Sequence, residues 1–261
     1  MRPTRLHLPR PGLRWLPVWQ RNFLVWRKLA VPSLLGNLAD PLIYMLGLGY
    51  GLGSLMPAIG GVDYLGFLAA GTVVASTMHA ATFEALYSAF SRMHVQKTWE
   101  AILNTPLSLD EVLAGELFWA ASKSLFSGLA ILAVVAALGL VSSVHALAAI
   151  PVIFLTGTAF AALGLVVCAL APSYDFFMYY FTLFLTPMLL ISGVFFPAGQ
   201  LPAAIQAVAG WLPLAHAVQL VRPLLLGELP ENPLGHLAAL LLVAGLGFWI
   251  ACVLARRRLL A

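Results

Sequence analysis

Glu84 and His79 are the main candidates in this sequence for chemistry within an apolar segment. A carboxylate or an imidazole inside a membrane span often relays protons or coordinates a transported ion. Glu84 lies near one end of its apolar segment, where we expect it to reach water. The sequence therefore favours a boundary role for Glu84 over a role in a proton relay.

Motifs for nucleotide or metal chemistry are absent from the sequence. It contains no G-x-x-x-x-G-K-[ST], no H-E-x-x-H and no C-x-x-C, the patterns that would indicate a phosphate-binding loop, a zinc protease or a thiol pair. The histidines are scattered singly, and both cysteines fall in apolar runs, as is typical of packed side chains. We predict no catalytic residue, no metal site and no cofactor on this chain.

The composition places the chain in a membrane. It has 261 residues, of which 61% are hydrophobic and 9% charged, whereas soluble domains carry about 25% charged residues. Thirteen of the 14 basic residues fall within 1–30, 92–123 and 256–258. Because basic loop residues stay in the cytoplasm during insertion, this pattern predicts cytoplasmic N- and C-termini. The net charge of +4 then belongs to the cytoplasmic edges of the protein, and no nucleic-acid partner is expected.

Six apolar segments are long enough to cross the hydrocarbon, which takes about 20 residues. We predict an all-α integral membrane protein with a single transmembrane domain, 1–261. Segment 87–117 forms the long cytoplasmic loop between spans two and three. The predicted spans are 36–56, 64–86, 118–140, 147–170, 176–196 and 235–255.

Segment 197–233 is apolar but is divided by Pro202, Pro213 and Pro223. The resulting pieces of about ten residues are too short to cross, and both neighbouring spans require its ends on the outer side. We predict a re-entrant hairpin in the outer leaflet. Arg222, the one basic residue outside the three groups, would snorkel, form a structural pair or contact a substrate.

The N-terminal segment 1–31 predicts an amphipathic helix on the cytoplasmic surface. Four aromatic residues recur at helical spacing and form one stripe, which we expect to face lipid. Pro32 would end this helix, and Asp40 with Pro41 would cap and open span one. The helix is either a membrane anchor or a brace for a cytoplasmic partner, and the residues concerned are Trp15, Trp19, Arg21, Phe23, Trp26, Arg27 and Lys28.

The cytoplasmic loop contains a second short helix, predicted over 97–104. Ser108 and Glu111 then form a capping box that begins the helix of span three. The short helix is either a docking element for a partner or an ordinary loop helix resting on the membrane. The docking candidates are Arg92, Lys97, Thr98, Trp99, Glu100, Ile102 and Asn104.

Aromatic residues crowd the cytoplasmic half of span five. They indicate either a belt at the membrane interface or the lining of a substrate pathway that would continue to the hairpin. The pathway candidates are Tyr179, Tyr180, Phe184, His216 and Arg222.

Several stretches, spread over nearly the whole chain, resemble the type-2 ABC exporter permeases. The chain is most similar to their nodulation protein J branch, whose members are implicated in exporting lipo-oligosaccharides. The stretches that carry the resemblance are DPLIY at 40–44 with GLGYG at 47–51, YLGFLAAG at 64–71, TPLS at 105–108 with GE at 115–116, SGVFFP at 192–197, and PLAH at 213–216 with RP at 222–223.

The resemblance implies a half-transporter of the bacterial inner membrane that does no covalent chemistry. Two copies of the permease would pair with two copies of a separate ABC ATPase, which would carry ATP and Mg. The docking helix would enter a cleft of the ATPase, and the N-terminal helix would brace it. The implied substrate is an amphipathic glycolipid or lipo-oligosaccharide; the alternatives are a drug-like lipophile, a polysaccharide, or ion-coupled transport without an ATPase.

Overall fold

The computed structural model describes residues 8–9, 12–55, 58–59 and 61–259. The predicted N-terminal segment begins outside these ranges, as do its residues Arg2, Arg5 and Arg10. Over the described residues the regular elements are helices, without a strand. The α-helices are α1 (Trp15–Arg27), α2 (Ala30–Gly53), α3 (Tyr64–Phe83), α4 (Thr98–Leu103), α5 (Leu109–Ala137), α6 (Ala149–Leu170), α7 (Asp175–Tyr180), α8 (Thr186–Ile191), α9 (Ala203–Ala209), α10 (Pro213–Leu226) and α11 (Pro233–Leu259).

Within the described part of the chain, five helical segments are long and apolar enough to cross a membrane. The predicted fifth span is a shorter apolar run, Asp175–Ile191, in which a π-helical turn separates α7 from α8. The segment predicted as a hairpin contains α9 and α10, which meet at a bend of 85°, the geometry of a re-entrant loop or of a broken span. The all-helical fold with several spans is confirmed. The long segments are Ala30–Gly53, Tyr64–Val95, Leu109–Ala137, Val144–Leu170 and Pro233–Leu259.

The first span begins earlier than predicted. Helix α2 starts at Ala30, so Asp40 lies in the helix interior with Pro41 and does not cap it. Helix α1 ends at Arg27, and Pro32 falls in the first turn of α2, where its missing N–H costs no hydrogen bond. Both predictions were wrong because an apolar segment in lipid satisfies its backbone by remaining helical, even through a proline.

Helix α3 also extends beyond its predicted end at 86. Two π-helical turns, Glu84–Ser88 and Ser91–Val95, continue it to Val95. The resulting run of 32 residues is about 48 Å long at 1.5 Å per residue, whereas the hydrocarbon is about 30 Å thick. The helical run is therefore longer than the hydrocarbon is thick, and it includes residues 87–95 of the predicted loop.

Helix α5 begins nine residues before the predicted span, at Leu109. The predicted capping box is present, because the Ser108 side chain accepts from the N–H of Glu111 while the Glu111 carboxylate accepts from the N–H of Ser108. Two of the four otherwise unpaired amides at the helix start are thereby satisfied. The cap, rather than the membrane boundary, sets where α5 begins.

Small residues allow α3 to pack closely at the centre of the bundle. The hydroxyls of Ser76 on α3 and Ser127 on α5 lie 3.1 Å apart. A Cβ added at Gly71 would stand 2.6 Å from the carbonyl oxygen of Val194, which is closer than van der Waals contact. The core is therefore held by close approach of helix backbones, as is common in membrane bundles.

The charged side chains that make contacts within the bundle lie at two ends. At one end, which we call the basic end, Arg256 of α11 pairs with Asp110 of α5, and Arg258 donates to the carbonyls that close α6. At the other, the hairpin end, Arg222 stands over the ring of Phe67. Along α3, Phe67 is 17 residues from Glu84, or roughly 25 Å.

Candidate functional site

The π-helical extension of α3 carries a buried cluster of charges, beginning with Glu84. One carboxylate oxygen of Glu84 accepts from Arg92 at 2.9 Å and from the Trp119 indole at 2.8 Å. The other accepts from Lys123 at 2.8 Å. Glu84 is only 3% exposed, so the prediction that it reaches water was wrong. Three donors hold it inside the protein.

Glu116 of α5 forms the second half of the cluster. Its carboxylate receives Nε and Nη2 of Arg92 and the indole N–H of Trp99 at 3.0 Å. Asn22 of α1 donates to the same carboxylate at 3.2 Å. Glu116 is 1% exposed, and Arg92 therefore lies between two buried carboxylates.

The cluster ties four elements together. Asn22 belongs to α1, Trp99 to α4, Glu116 to α5 and Arg92 to the extension of α3. Removing one member of a buried, hydrogen-bonded ion cluster leaves an uncompensated charge, which typically costs about 3–5 kcal/mol. A shift of any one of these elements therefore acts on the other three.

Helix α4, the predicted docking helix, turns one face inward and the other to solvent. Trp99 is buried against Glu116, and Ile102 packs partly against the core. Lys97 and Glu100 form an exposed ion pair of 2.8 Å. The face available to a partner carries Lys97, Glu100 and Asn104, with Thr98 half-buried beside them.

A left-handed residue separates α4 from the α3 extension. Lys97 has a φ of 55°, a conformation that costs a residue with a Cβ roughly 1–2 kcal/mol. It turns the chain after Gln96, and α4 then brings the Trp99 indole to Glu116 of the charge cluster. Arg92 precedes this turn and is bound inside the protein, and the structure does not bring it to the exposed face of α4.

Helix α1 contacts the segment that carries α4. Arg14 donates to the carbonyl of Pro106 at 3.0 Å, and Arg21 approaches the Thr98 hydroxyl at 3.5 Å. Arg27 and Lys28 are exposed. Of the residues predicted to form the brace, Arg21 therefore contacts α4. Arg14, which was not predicted, contacts the loop that follows α4.

The aromatic stripe of α1 packs against protein. The prediction that this stripe faces lipid was therefore wrong. Trp26 lies 5.8 Å from Trp119 and 5.3 Å from Phe126, measured between ring centroids. Trp19 stacks on Phe23 and donates its indole N–H to Ser122 at 3.0 Å, and Trp15 lies against Phe118 of α5. Aromatic rings gain more from each other and from a polar hydroxyl than from lipid tails.

The predicted pathway residues fall into separate groups. Tyr179 and Phe184 are exposed on α7 and the following π-helical turn, and Tyr180 stacks on Phe184. His216 of α10 meets His236 of α11, with their Nδ1 atoms 2.8 Å apart. Among the described residues, no hydrogen bond or ring contact joins the tyrosines to the histidine pair.

Arg222 is held in a structural pair at the hairpin end. Its Nη2 donates to the carbonyl of Gly193 at 2.6 Å, and its guanidinium carbon stands 3.8 Å from the centre of the Phe67 ring. Gly193 has a φ of 78°, which favours glycine. Of the roles predicted for Arg222, the geometry matches the structural pair.

Sequence reasoning missed Glu116, Asn22 and Lys123 as members of the cluster. Glu116, Trp119 and Lys123 are spaced i, i+3 and i+7, which places them on one face of α5. That spacing in an otherwise apolar helix was the available signal. No local pattern connects Asn22 with them.

Similarity to known proteins agrees with this architecture. The model of the ABC-2 type transporter family matches residues 15–226, from the first residue of α1 to the last residue of α10. The chain therefore belongs to this family and is a permease, the membrane-spanning transport subunit of an ABC transporter. The predicted family is confirmed.

Individual relatives cover nearly the whole chain. It is 51% identical over 253 residues to Nodulation protein J of Rhizobium leguminosarum bv. viciae, covering 97% of this chain and 98% of the relative. It is 50% identical over 254 residues to Nodulation protein J of Rhizobium meliloti (strain 1021), covering 97% of both. The Inner membrane transport permease YadH of Escherichia coli (strain K12) is 23% identical over 236 residues, covering 90% of this chain and 91% of the relative.

Proposed function

We propose that this chain is the permease of an ATP-driven exporter of an amphipathic glycolipid or lipo-oligosaccharide. The observation that carries the proposal is near full-length similarity, at about half identity, to relatives named Nodulation protein J. The proposed location is the bacterial inner membrane, with the basic end in the cytoplasm. That sidedness is supported by the gathering of the basic residues at one end of the bundle.

The proposed machine contains two permease chains and two ATPase subunits. ATP and Mg would be bound by the ATPase, so that ATP hydrolysis occurs on the partner chain. The solvent face of α4 would dock into the ATPase through Lys97, Glu100 and Asn104. Movement imposed on α4 would reach α3, α5 and α1 through Trp99, Glu116 and Asn22, because they share one buried cluster.

The hairpin of α9 and α10 is proposed to be re-entrant at the outer leaflet. The support for this is that α9 has only seven residues and meets α10 at a bend of 85°, so that the pair is not one straight crossing helix. Gly193 and Arg222 connect it to the end of span five. Substrate would leave near this hairpin if Asp175–Ile191 is the fifth crossing.

Docking is tested by reversing one charge on the exposed face of α4. We expect Glu100→Lys to lose at least about tenfold of ATPase affinity, because interface charge reversals are costly at a docking centre. The Lys97–Glu100 pair is exposed, so its loss costs at most about 1 kcal/mol of stability. ATPase retention during purification of the complex and ATP-driven transport in vesicles are the measurements.

The matched control is Glu228→Lys, the same charge reversal at an exposed carboxylate following α10. It should leave both measurements unchanged. If Glu100→Lys also leaves ATPase retention and transport unchanged, α4 is not the docking element. Transport that persists without ATP and stops when the proton gradient collapses would instead favour ion-coupled transport.

A further inference from the structure

A cleft of about 240 Å³ opens beside the charge cluster, between α1, the extension of α3 and α5. Its charged lining residues are Arg21, Arg92, Lys123 and Glu84. Helix α4 contributes no lining residue, so the proposed docking leaves this cleft without a role. Three cations and one carboxylate face one small volume.

The hydrogen-bond inventory of the cleft shows a surplus of donors. Both oxygens of Glu84 already accept from donors of the cluster. Lys123 gives one of its three N–H groups to Glu84. Among the described residues, Arg21 donates to neutral oxygens, those of Asn22 and Thr98. A ligand that satisfies these donors must supply acceptors.

The charge environment of Arg21 is also unbalanced. Burial and the neighbouring Arg92 lower the pKa of the Arg21 guanidinium, and the attraction of Glu116 offsets these effects only in part. Arg92 and Lys123 are neutralised by Glu84 and Glu116, whereas Arg21 has no carboxylate partner in the described ion pairs. A bound anion would compensate this third cation.

With Tyr64 at one face of the hydrocarbon, the length of α3 places the cleft at the depth of the lipid headgroups on the other face. Glu84 is 20 residues beyond Tyr64, about 30 Å along the helix, which equals the thickness of the hydrocarbon. Val25 of α1 and Leu29, which lies between α1 and α2, line the cleft and are each more than half exposed. The cleft therefore has a cationic floor and an apolar rim.

We infer that this cleft binds the phosphate of an anionic phospholipid, with Arg21 and Lys123 donating to the phosphate oxygens. The acyl chains would lie along Val25 and Leu29. Phosphate is recognised by such convergent cationic donors. Because α1 and the α3 extension both line the cleft, the lipid would fix α1 against the charge cluster. The inference goes beyond the proposed function and depends on neither the ATPase nor a transported substrate.

The experiment measures lipid retained by the full-length chain, purified in detergent without an ATPase. Phosphatidylglycerol, phosphatidylcholine or inorganic phosphate is added, and bound lipid is counted by native mass spectrometry. We expect at least about tenfold preference for phosphatidylglycerol over phosphatidylcholine. Arg21→Gln and Lys123→Gln should each reduce retention about tenfold, the loss of one charge-assisted contact of about 1.4 kcal/mol.

Two further variants separate charge from folding. Arg27→Gln removes the same charge from an exposed position of α1 and should leave retention unchanged. Arg21→Lys keeps a cation and should restore most of the retention. Equal retention of the two lipids, or an equal loss in Arg27→Gln, would overturn the inference. Displacement of the lipid by millimolar inorganic phosphate would assign the site to a free anion and reject the lipid.

Discussion

Arg92 and Arg222 are partly buried arginines at opposite ends of the bundle, and they are stabilised differently. Arg92 donates to the carboxylates of Glu84 and Glu116. Arg222 donates to one backbone carbonyl and stands over the Phe67 ring. Its Nε is buried and has no hydrogen-bond partner among the described residues. The basic end is thus organised by paired charges, and the hairpin end by a backbone acceptor and an aromatic ring.

The difference predicts where the molecule is sensitive to charge. Loss of Arg92 leaves two buried anions that must be protonated or hydrated, whereas loss of Arg222 leaves one neutral carbonyl. At the basic end, a cluster of charged side chains links four helical elements. At the hairpin end, the helices are held together mainly by packing. Stability measurements on the purified chain can therefore rank the two ends.

The largest effect is expected for Arg92→Met. We expect a loss of about 3–5 kcal/mol in the free energy of unfolding, because Glu84 and Glu116 lose their shared partner. Denaturant titration in detergent measures it. Adding Glu84→Gln and Glu116→Gln to this variant should recover part of the lost stability. If Arg92→Met alone costs less than about 1 kcal/mol, the pairing of Arg92 with the two carboxylates is contradicted.

The second prediction concerns Arg222→Met. We expect this change to lower the free energy of unfolding by about 1–3 kcal/mol, the cost of leaving the buried carbonyl of Gly193 unsatisfied. The same titration compares it with Arg92→Met. If Arg222→Met proves the more costly of the two, the contrast between the ends is wrong.

A smaller effect is expected for Trp19→Phe. This change removes the 3.0 Å hydrogen bond to Ser122 and keeps an aromatic ring beside Phe23. We expect the free energy of unfolding to fall by about 0.5–1.5 kcal/mol. The protection of α1 amides against hydrogen exchange should fall in parallel. Unchanged protection would mean that α1 is held by Asn22 and Val18 without Trp19.

The smallest effect is expected for Lys97→Met. Its ion pair with Glu100 is more than half exposed on both sides, and such pairs contribute about 0.2–1 kcal/mol that salt screens. Thermal unfolding at low and high salt measures this contribution. A loss as large as that of Arg92→Met would show that exposure does not separate the two kinds of ion pair.

Much of the fold could be predicted because the membrane limits the choices. Hydrocarbon admits only helices with satisfied backbones, so apolar length indicated where the helices are. The capping box of Ser108 and Glu111 was predicted correctly because it depends on four consecutive residues. The start of α2 was missed because Asp40 with Pro41 also fits a cap, and the helix around them depends on the apolar residues before them.

The candidate site was predicted only in part. The position of α4 followed from its composition and from the family resemblance. The burial of Trp99 and the exposure of Glu100 could not be predicted, because they depend on how the neighbouring helices pack against α4. The cluster of Glu84, Arg92 and Glu116 was not predicted. A carboxylate near the end of a span is expected to be accessible to water unless its partners are known.

The sequence by itself determined that this protein is a helical membrane permease of the ABC-2 type, since apolar length, the confinement of basic residues and the ordered motifs are properties of the chain. Only the tertiary structure decided which polar residues meet. Asn22, Glu84 and Glu116 are far apart in the chain, and they converge because α1, α3 and α5 pack together. Burial then made their pairing obligatory, since a lone charge in that position would be too costly.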